Sequence, residues 1–219
     1  MPTLDFKKIP QSTFEELILD AGMLVKNFDP ESPATPADAD IITATTGGVN
    51  IICKANFSDL GEDVDNVPNN MKELKHLDGW DCSMSTTSLG TSVSNIKLAL
   101  GCADVDETDG THVIPRASLK QSDFQTIGWI GPKAAGGWAY VRLFNALSTE
   151  GLSLKTTKNG KATNALTLMG HVSINEQDKV PMEFWSADAP AGTSGGAGAG
   201  GSGSGGSGST GGSGTGNGG

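Results

Sequence analysis

Between residues 41 and 187 apolar and polar residues alternate with a period of two, in short runs broken by Gly, Asn, Asp and Pro. Successive side chains of an extended strand point to opposite faces, so this period fits a sheet with one buried face and does not fit a helix. In Trp80-Asp81-Cys82-Ser83-Met84-Ser85 the apolar members share one face. Leu166, Leu168, Val172 and Ile174 share another, which Gly170 interrupts as at a bulge or a sharply curved strand. Asn159-Gly160 tolerates the positive φ angles of a type I′ turn, so strands at 151–157 and 162–174 are predicted to pair around it. Runs rich in Val, Ile, Phe, Trp or Thr predict further strands over 49–58, 124–131, 138–147 and 180–186. Ser12-Thr13-Phe14-Glu15 matches a capping box and predicts a short helix before Gly22. A second helix is predicted over 93–100, where apolar residues fall at helical spacing and Gly101 supplies a C-cap; it is expected to cover an open sheet face. The expected fold class is mainly β: an antiparallel β-sandwich or partial barrel with one or two short flanking α-helices.

The material for a core ends early. All four Trp, all seven Phe and the single Tyr precede residue 188, whereas the residues after Gly192 are only Gly, Ser, Thr, Ala and Asn. One β domain over 1–187 is therefore expected, followed by a disordered tail over 188–219 that has no means of burying apolar surface. Fifteen Lys and Arg against 25 Asp and Glu give a net charge of −10, which opposes attraction to phosphate backbones and anionic lipids. No stretch approaches the roughly 18–20 apolar residues that span a bilayer. The opening Met-Pro-Thr-Leu-Asp-Phe-Lys-Lys lacks the apolar run of a secretory signal, so folding in cytoplasm without a membrane partner is expected. Cys53, Cys82 and Cys102 cannot all pair within one molecule and read as reduced, mostly buried, small hydrophobes.

Motifs for catalysis or metal binding are weak. Asp104-Val105-Asp106-Glu107-Thr108-Asp109-Gly110 begins like a calcium loop, but position twelve would be Pro115 in place of the bidentate Glu, and an acidic turn is the better reading. His76, His112 and His171 lack the spacing of zinc ligands, and His171 reads as a structural residue on the polar face of a strand. No nucleophile elbow or phosphate-binding loop is present, and the match to a dinucleotide fingerprint at Gly196–Gly201 follows no strand and opens no helix. No cofactor or metal is expected. The run from Asp59 to Asn70 has four carboxylates among turn residues and reads as a long loop reaching away from the sheet, where contact residues commonly sit. Charge is also divided along the chain. From Asp29 to Asp109 acids outnumber bases 15 to 4, and from Arg116 to Lys161 bases outnumber acids seven to two. Such halves pair internally, face water, or meet head-to-tail between copies.

Several strings occurring in order resemble the major tail protein, the tail tube subunit of tailed bacteriophages found in phages and prophages of Gram-positive bacteria. They are Leu17-Ile18-Leu19-Asp20-Ala21-Gly22-Met23-Leu24-Val25 with Asn27-Phe28-Asp29-Pro30, then Ala44-Thr45-Thr46-Gly47-Gly48-Val49 and Gly61-Glu62-Asp63-Val64-Asp65-Asn66. Lys72-Glu73-Leu74-Lys75, Trp80 to Leu89, Lys155-Thr156-Thr157-Lys158-Asn159-Gly160 and Val180-Pro181-Met182-Glu183-Phe184 follow. The resemblance implies a non-enzymatic virion protein, assembled in the host bacterial cytoplasm. Six copies would form a ring, and stacked rings would form a hollow tail tube through which DNA passes without specific binding. Its partners would be itself, in ring and stacked-ring contacts, together with a tape-measure protein, a tail terminator and baseplate or tip proteins. An acidic bore would let DNA slide. The residues expected at the inter-ring contact are Asp59, Glu62, Asp63 and Asp65; those expected at an inner-barrel hairpin are Leu154, Thr156, Asn159, Gly160 and Thr167. A tube subunit of a tail-derived injection or secretion machine would share this fold, and a surface β-sandwich adhesin with a Gly/Ser stalk is a reading from another class. Deleting residues 188–219 is expected to leave folding and assembly intact, as checked by thermal denaturation and electron microscopy.

Overall fold

The computed structural model describes residues 9–188 apart from Gln11. Its elements are α1 (Ser12–Glu15), β1 (Met23–Val25), β2 (Ile41–Thr43), β3 (Thr45–Asp59), β4 (Lys75–Ser88), α2 (Val93–Leu100), β5 (Ala103–Val105) and β6 (Val113–Pro115). They continue with β7 (Gln125–Pro132), β8 (Gly137–Ser148), β9 (Ser153–Lys155), β10 (Thr163–Met169) and β11 (Met182–Asp188). Every strand pairing is antiparallel. The architecture is the mainly β, sandwich-like fold with few short helices that the alternation predicts.

One layer runs β2-β1-β7-β8-β11 and the other β3-β4-β10-β9. Strand β8 belongs to both. Its first part pairs with β7 on one side and β11 on the other, and its last two residues, Leu147 and Ser148, pair with Met169 and Leu168 of β10. The change of partner falls at Asn145, whose φ of 47° is accessible to Asn at lower cost than to most residues. A second corner lies at Ala44, where β2 of the first layer runs directly into β3 of the second. Leu89 N–H donates to the Ala44 carbonyl at 2.9 Å, and the buried hydroxyls of Thr43 and Ser88 lie 2.7 Å apart. Two such corners turn the sandwich into a partly closed barrel.

The inner faces interdigitate. Leu24, Ile127, Trp129, Val141 and Leu143 of the first layer pack with Cys82, Met84, Leu166 and Leu168 of the second in a single buried cluster. Helix α2 occupies the predicted span, with the Ser92 side chain accepting from Asn95 N–H and Gly101 capping its end at φ 74°. It contributes Leu98 and Ala99 to the same cluster, and its Ala99 carbonyl accepts from Ser148 Oγ. Outside the first layer, Phe28 lies edge-on to Trp138 and tilted against Tyr140, forming a smaller cluster with Val25.

Four details depart from the sequence reading. The strand expected over 162–174 ends at Met169, because Gly170 leaves the ladder and donates its N–H to the Cys82 carbonyl while the chain passes close to β8. A Cβ at Gly170 would stand 2.6 Å from Leu143 Cδ1, so glycine there answers a close approach, not a bulge within the strand. Val172 and Ile174 are exposed in consequence. The strand expected over 151–157 is only Ser153–Lys155, and Lys155 opposes Thr163 across a seven-residue connection instead of a two-residue type I′ turn. There Gly160 N–H bonds the Thr157 carbonyl, with positive φ at Asn159 but not at Gly160. Finally, Asp188 belongs to β11. Its carboxylate lies 2.8 Å from Nζ of Lys133, a side chain only 6% exposed, so the cut that keeps the sheet whole falls after Asp188. The rest of the expected tail, 189–219, lies outside the described residues.

Leu143, on β8 between its pairings with β7 and β11, is fully buried in the cluster that both layers share. Leu143→Ala is expected to cost about 2–5 kcal/mol, through lost burial and an unfilled cavity. Urea denaturation with an unchanged slope would measure it.

Candidate functional site

Strands β3 and β4 are longer than the layer that holds them. β10 covers β4 only from Ser83 to Ser88, and Gly170 adds one bond at Cys82. Beyond that point Lys54–Asp59 and Lys75–Asp81 continue as a two-stranded ribbon with no third strand among the described residues. At roughly 3.3 Å per residue the overhang is about 23 Å long.

The core face of this hairpin continues past the core. Cys53 and Cys82 oppose one another at its root with sulfurs 3.4 Å apart, and burial, then the neighbouring thiol, push the Cys82 thiol up to about 12. Next along the ladder are the pairs Ala55 with Trp80 and Phe57 with Leu77. No layer among the described residues covers them. Trp80 is 39% exposed, Leu77 44% and Phe57 62%, with Leu60 and Val64 exposed beyond them. Trp80, which the alternation places on a buried face, is therefore half open because its neighbouring strand has stopped.

The acidic loop joins β3 to β4 at the tip, and its four expected contact residues divide into two roles. Asp59 holds the loop together. Its carboxylate accepts from Asn70 N–H at 2.8 Å and Gly61 N–H at 3.1 Å and lies 3.4 Å from Lys75 Nζ. The Asn70 and then the Gly61 hydrogen bond hold its carboxyl below the usual carboxylate value. Glu62, Asp63 and Asp65 are exposed, and no base lies in ion-pair range of them among the described residues. The two lysines nearby are already engaged, Lys72 with Glu73 and Lys75 with Asp59.

The second expected group does not join the first. Because Asn164 opposes Ser88 while the acidic loop adjoins Lys75, the β9–β10 connection lies at the far end of the same sheet. The two ends are about 40 Å apart by strand rise. Leu154, Thr156, Asn159 and Gly160 are exposed there. Thr167 lies further up β10 on its outer face, its hydroxyl donating to Glu150. Around them Lys155, Lys158 and Lys161 are exposed, with no acid in ion-pair range among the described residues. Other late bases are spent internally: Arg116 bridges Asp104 and the buried Asp123, and Lys120 reaches Asp104. The exposed core face of the hairpin and the lysine cluster were not singled out from sequence. Their signals were the apolar residues at alternate positions from Val49 to Phe57 and the lysines at 155, 158 and 161.

Besides the three-residue edge strands β2 and β9, two long layer edges are open among the described residues. β11 bonds β8 along seven residues and nothing along its other side, and β3 bonds only β4. Phe184, in β11, is 59% exposed.

The concave features among the described residues include a polar hollow of about 480 Å³ at the acidic loop itself, lined by Ser58, Asp59, Glu62 and Lys75 among others. A hollow of about 410 Å³ under the segment 33–36 is walled by Met23, Phe28, Ile130 and Trp138, with no titratable side chain in its lining. A shallower one holds Arg142 over the face of Trp185 at 4.8 Å, beside Asp29, Glu31 and Glu183. His76 and His112 are exposed, and His171 pins the β8 corner, its Nδ1 lying 3.1 Å from the Asn145 carbonyl. In the loop after Asp104, Asp106 accepts from Thr108 N–H and Asp109 from Thr111 N–H, as in an acidic turn. No group of three or more His, Cys, Asp or Glu is arranged to hold a metal ion among the described residues. Among them, too, no helix is long and apolar enough to cross a membrane. No protein-family model matches the chain, and a search of curated proteins found no match.

Asp59→Asn should release the loop without unfolding the sandwich, seen as faster hydrogen exchange at the Gly61 and Asn70 amides. Since the folded state lowers the carboxyl from its usual 3.8, its stabilisation is complete above that pH and is lost as pH falls through the lower folded value. Protection of those two amides should follow the same course.

Proposed function

We propose that the chain is a structural subunit whose sheets are completed by further copies of itself, as in a tail tube built from stacked six-copy rings with a central passage for DNA. The observation that carries this reading is the pair of open layer edges. A long edge strand with its N–H and C=O groups unpaired is a template for another strand, and proteins that stay monomeric blunt such edges with charge, proline or a covering loop. β11, Met182-Glu183-Phe184-Trp185-Ser186-Ala187-Asp188, is apolar at four of its seven positions and presents an edge that is bare among the described residues. The net charge of −10 suits a wall past which DNA moves without adhering.

Negative-stain electron microscopy of the purified full chain should show rings or tubes with a central hole. Particles that remain single copies at high concentration would sink the proposal. Phe184→Lys places a charge on the open edge at an already exposed position, so the fold should persist by circular dichroism while rings disappear at concentrations where the unaltered chain forms them.

A further inference from the structure

We propose that the bare core face of the β3–β4 hairpin seats the lysine-bearing end of a second copy, tip to base, so that copies associate end to end with one polarity. This deepens the tube reading and rests on it for the axial direction of the contact. Three observations point to a second copy as the occupant. The face carries the row Ala55, Phe57, Leu77 and Trp80, the direct continuation of the surface that elsewhere forms the core. Its tip bears Glu62, Asp63 and Asp65 without cationic partners among the described residues, and the opposite end of the same sheet bears Lys155, Lys158 and Lys161 without anionic ones among them. That opposite end also exposes Leu152 and Leu154, so it offers apolar surface beside its positive charge, as the tip offers apolar surface beside its negative charge.

The register makes the match directional. Tip and base lie at opposite ends of β4, too far apart to meet within one molecule, and two tips or two bases would repel. Only an unlike pairing satisfies both ends. Such a contact is heterologous and leaves each added copy with a free tip or a free base, which permits continued growth.

A charge exchange tests this on the full chain. One variant carries Glu62→Lys, Asp63→Lys and Asp65→Lys; another carries Lys155→Glu, Lys158→Glu and Lys161→Glu. All six positions are exposed, so circular dichroism should be unchanged. In low salt, sedimentation velocity and electron microscopy should show each variant alone losing end-to-end association by about tenfold or more, with an equimolar mixture restoring it. Variants that stack like the unaltered chain, or a mixture that stays apart, would overturn the contact. Intact rings that never stack, in the unaltered chain as in the variants, would overturn it while leaving the ring reading in place. Filaments without rings that the mixture restores would support the contact and sink the ring. Phe57→Ser with Leu77→Ser should abolish stacking and leave the melting temperature unchanged. A lowered melting temperature with normal stacking would mean that the chain's own ends cover the face, and would also overturn the proposal.

Discussion

Backbone hydrogen bonding along β8 is the constraint on which the rest of the molecule depends. This strand bonds β7 on one side and divides its other side between β11 and β10, so a single segment carries the register of both layers. The division needs a corner, and Asn145 supplies it with a left-handed backbone conformation. Two contacts lock that corner: Asn145 Nδ2 donates to the His171 carbonyl, and the His171 ring meets the Asn145 carbonyl and the edge of Phe124. From it follow the position of Leu143 between the layers, the glycine at 170 where the chain passes over, and the open outer edge of β11.

The period-two pattern made the layers legible because each has one face buried by the other. Cys82 and Met84 on β4, and Leu166 and Leu168 on β10, are buried as alternation requires. Helix α2 was legible for a different reason: its apolar residues fall at helical spacing, and Gly101 makes the capping bonds at its end. What alternation does not encode is where a neighbouring strand stops. Trp80 has the same pattern as Met84, yet one is open and the other buried, because β10 reaches only as far as Ser83. Asn159-Gly160 failed as a turn predictor for a related reason. The pair does sit in a turn, but the ladder closes four residues before Asn159 and three after Gly160, at a register set by β4 and β10.

Charge was readable as an imbalance and unreadable as a pattern. The early acids and late bases partly cancel within the molecule, around Arg116 with Asp104 and Asp123. Glu62, Asp63 and Asp65 on one side of the balance and Lys155, Lys158 and Lys161 on the other fall at the two ends of one sheet, because an antiparallel hairpin puts its own connection and its neighbour's connection at opposite ends. Of the four acids expected to make contacts, Asp59 was distinguishable only in three dimensions, where the Gly61 and Asn70 amides converge on it.

The overhanging ribbon has a bearing on dynamics. Two strands without a third are barely stable in water on their own, so the hairpin beyond Cys53 and Cys82 is held chiefly by its attachment to the sandwich. Opening should begin there and stop at the thiol pair, leaving the packed layers as a separate cooperative unit. The most outreaching part of the molecule is thus also the part that can be remoulded at least cost, and a neighbour that grips it can fix its shape without disturbing the fold behind it.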